Sequence, residues 1–274
     1  MPSPAAIKGR ALRASPVLRA VADTPIAQRV IQTERAVRLL EPAGRLLAGR
    51  NGIAGRYRLR RSDAHVHVRH RTRDLDILAE IFTAGSYEPP SEAAALLDGP
   101  LRIADLGGNI GLFGIWALGR WEVVGLRSYE PDPANARLLA ATAEPFRDWA
   151  VVEAAVGSGE GTMLFAEGML SESRAALDGE GGIAVPVVDL FAEPEADLLK
   201  MDIEGGEWAI LEDPRLAGLG ARVIVMEWHS LRCPDPDPKR HVDRLLERGG
   251  YTGRHHVPGR FASNGTVWAW RTPG

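Results

Sequence analysis

The chain has a single cysteine, Cys233, in 274 residues. No internal disulfide can form, and no Cys/His spacing of a metal site occurs. A reducing cytoplasm is the expected setting. No apolar run approaches the ~18 residues of a membrane span, so no transmembrane helix is expected. Met1–Ala22 lacks the continuous apolar core of a signal peptide. It is Arg-rich and acid-poor, as a mitochondrial transit peptide also is, but lysine is scarce beside arginine throughout the chain. That bias, with abundant alanine and glycine, points instead to a GC-rich bacterial source.

What remains is ordinary for a globular protein: 45% hydrophobic and 25% charged residues. The charge is uneven. Of 33 Lys/Arg and 36 Asp/Glu, 16 and 4 respectively fall at or before Arg73, and 17 and 32 after it. A basic segment can mark a nucleic-acid or membrane surface. Here few aromatics interleave the arginines and no nucleic-acid motif accompanies them. A basic arm lying on an acidic body is the reading adopted; neither a nucleic acid nor a membrane is expected as partner.

Apolar spacing predicts an amphipathic helix over Ala27–Leu40, a loop over Gly44–Gly55, a hairpin over Tyr57–Arg69 and a helix over Leu75–Phe82. These form an N-terminal cap over residues 1–90, whose first helix could serve as a homodimerising arm. Residues 91–274 then alternate strand and helix, which implies an α/β fold, a mostly parallel sheet with helices on both faces. Expected strands are Leu101–Leu106, Glu122–Tyr129, Ala150–Val156, Asp197–Met201 and Arg222–Trp228. Thr162–Phe165 and Ile183–Val188 form an additional pair, and Tyr251–Val257 and Thr266–Arg271 close the chain, the last antiparallel.

Three motifs carry chemistry. In Ile103-Ala104-Asp105-Leu106-Gly107-Gly108-Asn109-Ile110-Gly111 a buried strand enters a glycine-rich turn and then a helix. Ligands bind at such carboxyl ends. The GxGxxG spacing of a dinucleotide site fails, and Asp105 would repel a pyrophosphate. A ligand with an ammonium group and no phosphate fits better, such as the methionyl part of S-adenosylmethionine. Glu130, followed by Pro131, ends the next strand, where a carboxylate can accept both ribose hydroxyls. In Asp197-Leu198-Leu199-Lys200-Met201-Asp202-Ile203-Glu204-Gly205-Gly206-Glu207, carboxylates and a lysine crowd a third strand end. Glu204 and Glu207 could also simply cap the helix that follows.

Together these motifs resemble the FkbM family of methyltransferases, over roughly residues 65 to 230. Lys200-x-Asp-x-Glu-Gly-x-Glu is the most diagnostic run, and Gly108 stands where alanine is commoner. The resemblance implies a class I (Rossmann-like) methyltransferase fold with a seven-stranded sheet, S-adenosylmethionine as cofactor, and mostly O-methylation in natural-product or glycan biosynthesis. Carried over, Asp105, Gly107, Gly108, Asn109 and Gly111 would hold the methionyl moiety. Glu130 and Pro131 would meet ribose, Ala155 and Val156 would border adenine, and Asp202 would lie nearest the methyl. Tyr87 would line the pocket.

A hydroxyl acceptor must lose a proton, so a general base is expected. His229, Asp202 and Glu204 are the catalytic candidates. His255 and His256 are read as structural, and His65, His67 and His70 as lining an exposed hairpin. Asp202, Glu227 and His229, with Glu204, could converge on a divalent cation, though spacing alone assigns none. The expected acceptor is a small hydroxylated molecule. N-methylation of an amine, a nicotinamide-dependent oxidoreductase, a non-catalytic binding protein and RNA methylation are the alternatives.

Overall fold

The structure, a computed structural model, describes residues 33–60, 62–166, 174–175, 182–258 and 263–272. The first part of the expected arm helix lies outside them; residues 33–39 are helical (α1). Strand β1 (Leu40–Glu41) follows, then α2 (Ala43–Ala48). The expected loop at Gly44 is therefore half helix: Arg45, Leu46, Leu47 and Ala48 are all good helix formers, and Leu46 is buried. β2 (Ala54–Leu59) and β3 (His65–Arg69) are the expected antiparallel hairpin, with β1 paired to β2. Its alternation is strict: Gly55, Tyr57 and Leu59 face in, while Arg56 and Arg58 face out. His70 corrects the exposed-hairpin reading, since it is buried against the Tyr57 hydroxyl.

Helix α3 (Asp74–Ala79) runs into one π-helical turn, Glu80–Ala84, and α4 (Ser91–Ala95) comes next. From there the expected alternation holds. β4 (Leu101–Leu106), α5 (Leu112–Leu118), β5 (Val123–Tyr129) and α6 (Pro133–Ala143) fall close to the ranges read from sequence. Helix α6 starts sharply because Asp132 accepts from the Ala134 and Asn135 amides and Pro133 takes the first helical position.

The third expected strand is two strands. β6 (Trp149–Val152) stays in the main sheet, and β7 (Ala155–Gly157) leaves it to pair with β10 (Ile183–Asp189). β8 (Gly161–Ala166) and β9 (Arg174–Ala175) complete this second, four-stranded sheet in the order β7-β10-β8-β9. β11 (Leu198–Met201), α7 (Glu207–Glu212), β12 (Val223–His229), α8 (Pro238–Arg248), β13 (Gly253–Pro258) and β14 (Asn264–Trp270) follow.

The seven-stranded sheet has the order β13-β14-β12-β11-β4-β5-β6. Its pairs from β12 to β6 are parallel, and β14 is antiparallel to both neighbours. The chain moves from β4 toward one edge and resumes at β11 on the other side, so the switch point lies between β4 and β11. Crevices at such points, outside the carboxyl ends of the strands, are where open α/β sheets bind ligands. No helix among the described residues is long and apolar enough to cross a membrane.

Candidate active site

The loops after β4, β5, β11 and β12 enclose a cavity of about 530 Å³ above the switch point. The turn after β4 sets its floor. Gly107 has φ +79°, and a Cβ there would lie 1.9 Å from the Asp202 carbonyl oxygen, so no side chain fits. Asn109 follows at φ +50°, and its buried Oδ1 has no hydrogen-bond partner among the described residues. Lys200, buried in β11, ties the turn down from below: Nζ donates to Leu106 O at 3.2 Å and Gly107 O at 2.5 Å, and pairs with Asp105 Oδ1 at 3.1 Å. Burial would lower the Lys200 pKa, but the Asp105 and Asp202 charges more than offset it and raise it.

Glu130 stands at the end of β5, 5% exposed. Its Oε2 accepts from the Asn109 amide at 2.7 Å and its Oε1 from the Asp132 amide at 2.9 Å. Burial pushes its carboxyl up to about 7, despite those backbone donors. Asn135 bridges outward: its side chain reaches Glu130 Oε1 at 3.5 Å and accepts from Arg69 at 2.7 Å. Arg69 is held by Asp74 through a buried two-pronged ion pair. The cap is thus hydrogen-bonded to the cavity floor.

The far wall is a cluster. His229, at the end of β12, has Nε2 3.4 Å from Glu204 Oε2 and 4.0 Å from Asp202 Oδ1. Its Nδ1 meets Glu207 Oε1 at 2.9 Å. Glu227 Oε1 lies 3.9 Å from Nε2 and accepts from the Asn264 side-chain Nδ2 at 2.5 Å. Asp202, Glu227 and His229 each offer one donor atom within 4.8 Å of the others. Burial alone would lower the His229 pKa; the Glu207 hydrogen bond and the charges of Asp202 and Glu204 override it and push it up to about 10. Burial, then Asp202, raises Glu227 to about 8, and the same two causes raise Glu204. Glu204 itself sits at φ +51°, an uncommon conformation for a side chain of its size.

Of the residues singled out from sequence, Gly107, Gly108, Asn109, Glu130, Pro131, Ala155, Val156, Tyr87, Asp202, Glu204, Glu227 and His229 all reach the cavity wall. Asp105 and Gly111 do not. Asp105 is wholly buried beneath the turn, between Lys200 and the Ser128 hydroxyl. Gly111 is packed against Leu139 and Trp149, where a Cβ would find atoms at 2.9 and 3.3 Å. Both shape the turn from behind. His255 is exposed, and His256 pairs with Asp243 at 2.8 Å, away from the cavity. Of the wall contributed by the cap, sequence reasoning named only Tyr87 as lining the pocket; Arg73, just before α3, and Asp76, Ile77, Glu80 and Ile81, from α3 and the π turn, also line it. A π turn beside a site is a recurrent feature, but apolar periodicity carries no sign of it.

A family model described as the methyltransferase FkbM domain matches residues 105–252. The chain belongs to this family. The description of that family is of methyltransferases, not of nicotinamide-dependent oxidoreductases. Among solved structures, a methyltransferase FkbM from Methylobacillus flagellatus KT is similar at 14% identity and a TM-score of 0.45, over 72% of this chain and 52% of that one. Magnesium protoporphyrin IX methyltransferase from Synechocystis PCC 6803, solved with bound SAM, is similar at 13% identity and a TM-score of 0.41, over 66% of this chain and 76% of that one. The chain spans about half the length of the first, 52%. Among curated proteins none matches.

Proposed function

We propose that this methyltransferase acts on a hydroxyl of a small metabolite or sugar, in natural-product or glycan biosynthesis in a bacterial cytoplasm. The observation that carries the reading is His229, held at Nδ1 with Nε2 turned to the cavity beside Asp202 and Glu204.

The cavity fits the cofactor on its own features. The side-chain-free approach at Gly107 and the unpartnered Oδ1 of Asn109 suit a closely bound polar group. Gly108 and Asn109 would hold the methionyl end, with Glu130 and Pro131 at ribose and Ala155 and Val156 at adenine. Glu130 Oε2, which accepts from the Asn109 amide, keeps a second lone pair for a ribose hydroxyl. Asp202 would stand nearest the cationic centre. When bound, S-adenosylmethionine supplies a methyl carbon already activated by its sulfonium. The protein's part is to orient the acceptor, which accounts for much of such a rate, and to take its proton. In its neutral form, which grows as pH rises toward 10, His229 takes that proton at Nε2, with Asp202 and Glu204 steadying the imidazolium that forms.

Turnover of labelled S-adenosylmethionine against a panel of monosaccharides, phenols and primary amines tests the reading. Methylation of hydroxyl acceptors is expected; turnover of amines alone would overturn it. Calorimetry with S-adenosylhomocysteine checks the cofactor assignment, and absence of binding below millimolar would sink it. N-methylation is the second reading, favoured by the acidic side chains of Asp76 and Glu80 on the wall, which would attract an ammonium. It needs no strong base, so His229→Gln at full rate would select it.

We read the Asp202–Glu227–His229 group as working without a divalent cation, because Glu227 already accepts from the Asn264 side-chain amide. Turnover should be unchanged by EDTA. Loss with EDTA and recovery on adding Mg²⁺ would assign the cation instead.

A further inference from the structure

Glu207 is wholly buried, and the scheme above leaves it without a task. Its two oxygens are shared among three donors. Oε1 lies 2.9 Å from His229 Nδ1 and 3.3 Å from the Ile203 amide, and Oε2 lies 2.9 Å from the Gly205 amide. It sits in the first turn of α7, so its backbone is fixed. The Ile203–Gly205 turn that it grips carries Glu204 and follows Asp202 directly. The Trp208 indole next to it donates to His229 O at 3.1 Å and Leu231 O at 3.0 Å, which anchors the end of β12 to the same helix.

We infer that Glu207 is a positioning residue: it keeps His229 protonated at Nδ1 and so leaves Nε2 as the nitrogen that faces the acceptor. A carboxylate only accepts, so its partner nitrogen must carry hydrogen. The remaining nitrogen is then the one able to take a proton. The task is that of an orienting acid behind a catalytic imidazole, where loss of the acid fixes the wrong tautomer. The assignment rests on the reading of His229 as base, and the experiment separates the two.

Two measurements test it. The first is proton NMR of the resting protein with selectively labelled histidine. A slowly exchanging Nδ1–H resonance of His229 is expected in the wild type and in Asp202→Asn, and is expected to vanish in Glu207→Gln. Its persistence in Glu207→Gln would overturn the inference. The second is a double-mutant cycle on turnover, with S-adenosylmethionine and the fastest acceptor of the panel above. Glu207→Gln should lower kcat at least ~100-fold, with KM for the cofactor unchanged, and should cost nothing further when made in His229→Gln. If the two losses multiply, Glu207 acts only by pinning the turn and the inference fails while the base reading stands. If His229→Gln alone keeps the wild-type rate, both fail. Should Glu207→Gln not fold, Glu207→Asp serves in its place. Its carboxylate is drawn back from Nδ1, and its smaller loss should again disappear in the His229→Gln background.

Discussion

Glu130 has traded water for two backbone amides, and the trade is unfavourable to its charge: burial holds its carboxyl near 7. Between pH 4.5 and 7 the folded protein therefore binds a proton that the unfolded chain has released. Stability falls as pH rises through that window. Glu130→Gln removes this contribution, which is at most about 3 kcal/mol. Denaturant melts at pH 5 and 7 should show the variant gaining on the wild type at the higher pH, together with weaker binding of S-adenosylhomocysteine. His229 has the same sign in a higher window. Its pKa is raised to about 10, so its stabilising contribution is full below pH 6.5 and is lost as pH approaches 10. Its base form appears over that same range. The rate should climb through the alkaline region while the melting temperature drops, and a rate flat from pH 7 to 10 would count against His229 as base. At this scale the sequence shows which residues gather at strand ends but not which way they face. Asp105 and Glu130 look equivalent as acids closing adjacent strands. Only the packing shows that Lys200 and Ser128 take Asp105 for the interior while Glu130 meets the cavity. Glu207 reads as a helix cap because its second task is His229, which lies 22 residues away across a parallel strand pair.

Among the elements, the turn after β4 tolerates least. Gly107→Ala would combine a positive φ with a Cβ driven into the Asp202 carbonyl. A backbone oxygen cannot rotate away as a side chain can, so the loops after β4 and β11 must separate. A cost of about 1–3 kcal/mol, with loss of S-adenosylhomocysteine binding, is expected from chemical denaturation and calorimetry. Retained wild-type affinity would show the approach to be dispensable. This turn was legible because glycine requirements and strand ends are written locally. The same holds for β4, α5 and α6, whose caps and periodicity are local too. The split of Ala150–Val156 into β6 and β7 was not legible. Both halves are apolar, and what separates them is pairing with β5 on one side and with β10, some thirty residues on, on the other.

The whole molecule depends on how its cap is attached. The family match covers 105–252, yet the hydrophobic core that contains Leu101, Phe113 and Trp268 also contains Leu40, Tyr57, Val66, Leu75 and Leu78. We propose that the described residues before 90 are a cap in the functional sense only, with no boundary in the packing. They supply Arg73, Asp76, Glu80 and Tyr87 to the cavity, so acceptor choice would be set by a segment outside the family match. They also cover one face of the sheet. The buried Arg69–Asp74 pair, joined to Asn135, is the polar seam between the two parts. Removing one partner of such a pair leaves an unmatched buried charge and costs about 3–5 kcal/mol. Asp74→Ala should therefore destabilise the entire chain in one transition, because no separate cap exists to melt first. Removing residues 1–90 outright should be worse, since each fully buried leucine or valine lost from the shared core forfeits ~1.5–3 kcal/mol and bares its partners on the sheet. The 91–274 fragment is expected to be insoluble or molten, with weak near-ultraviolet circular dichroism. A cooperatively folded fragment that binds S-adenosylhomocysteine as tightly as the intact chain would instead make the cap a true domain.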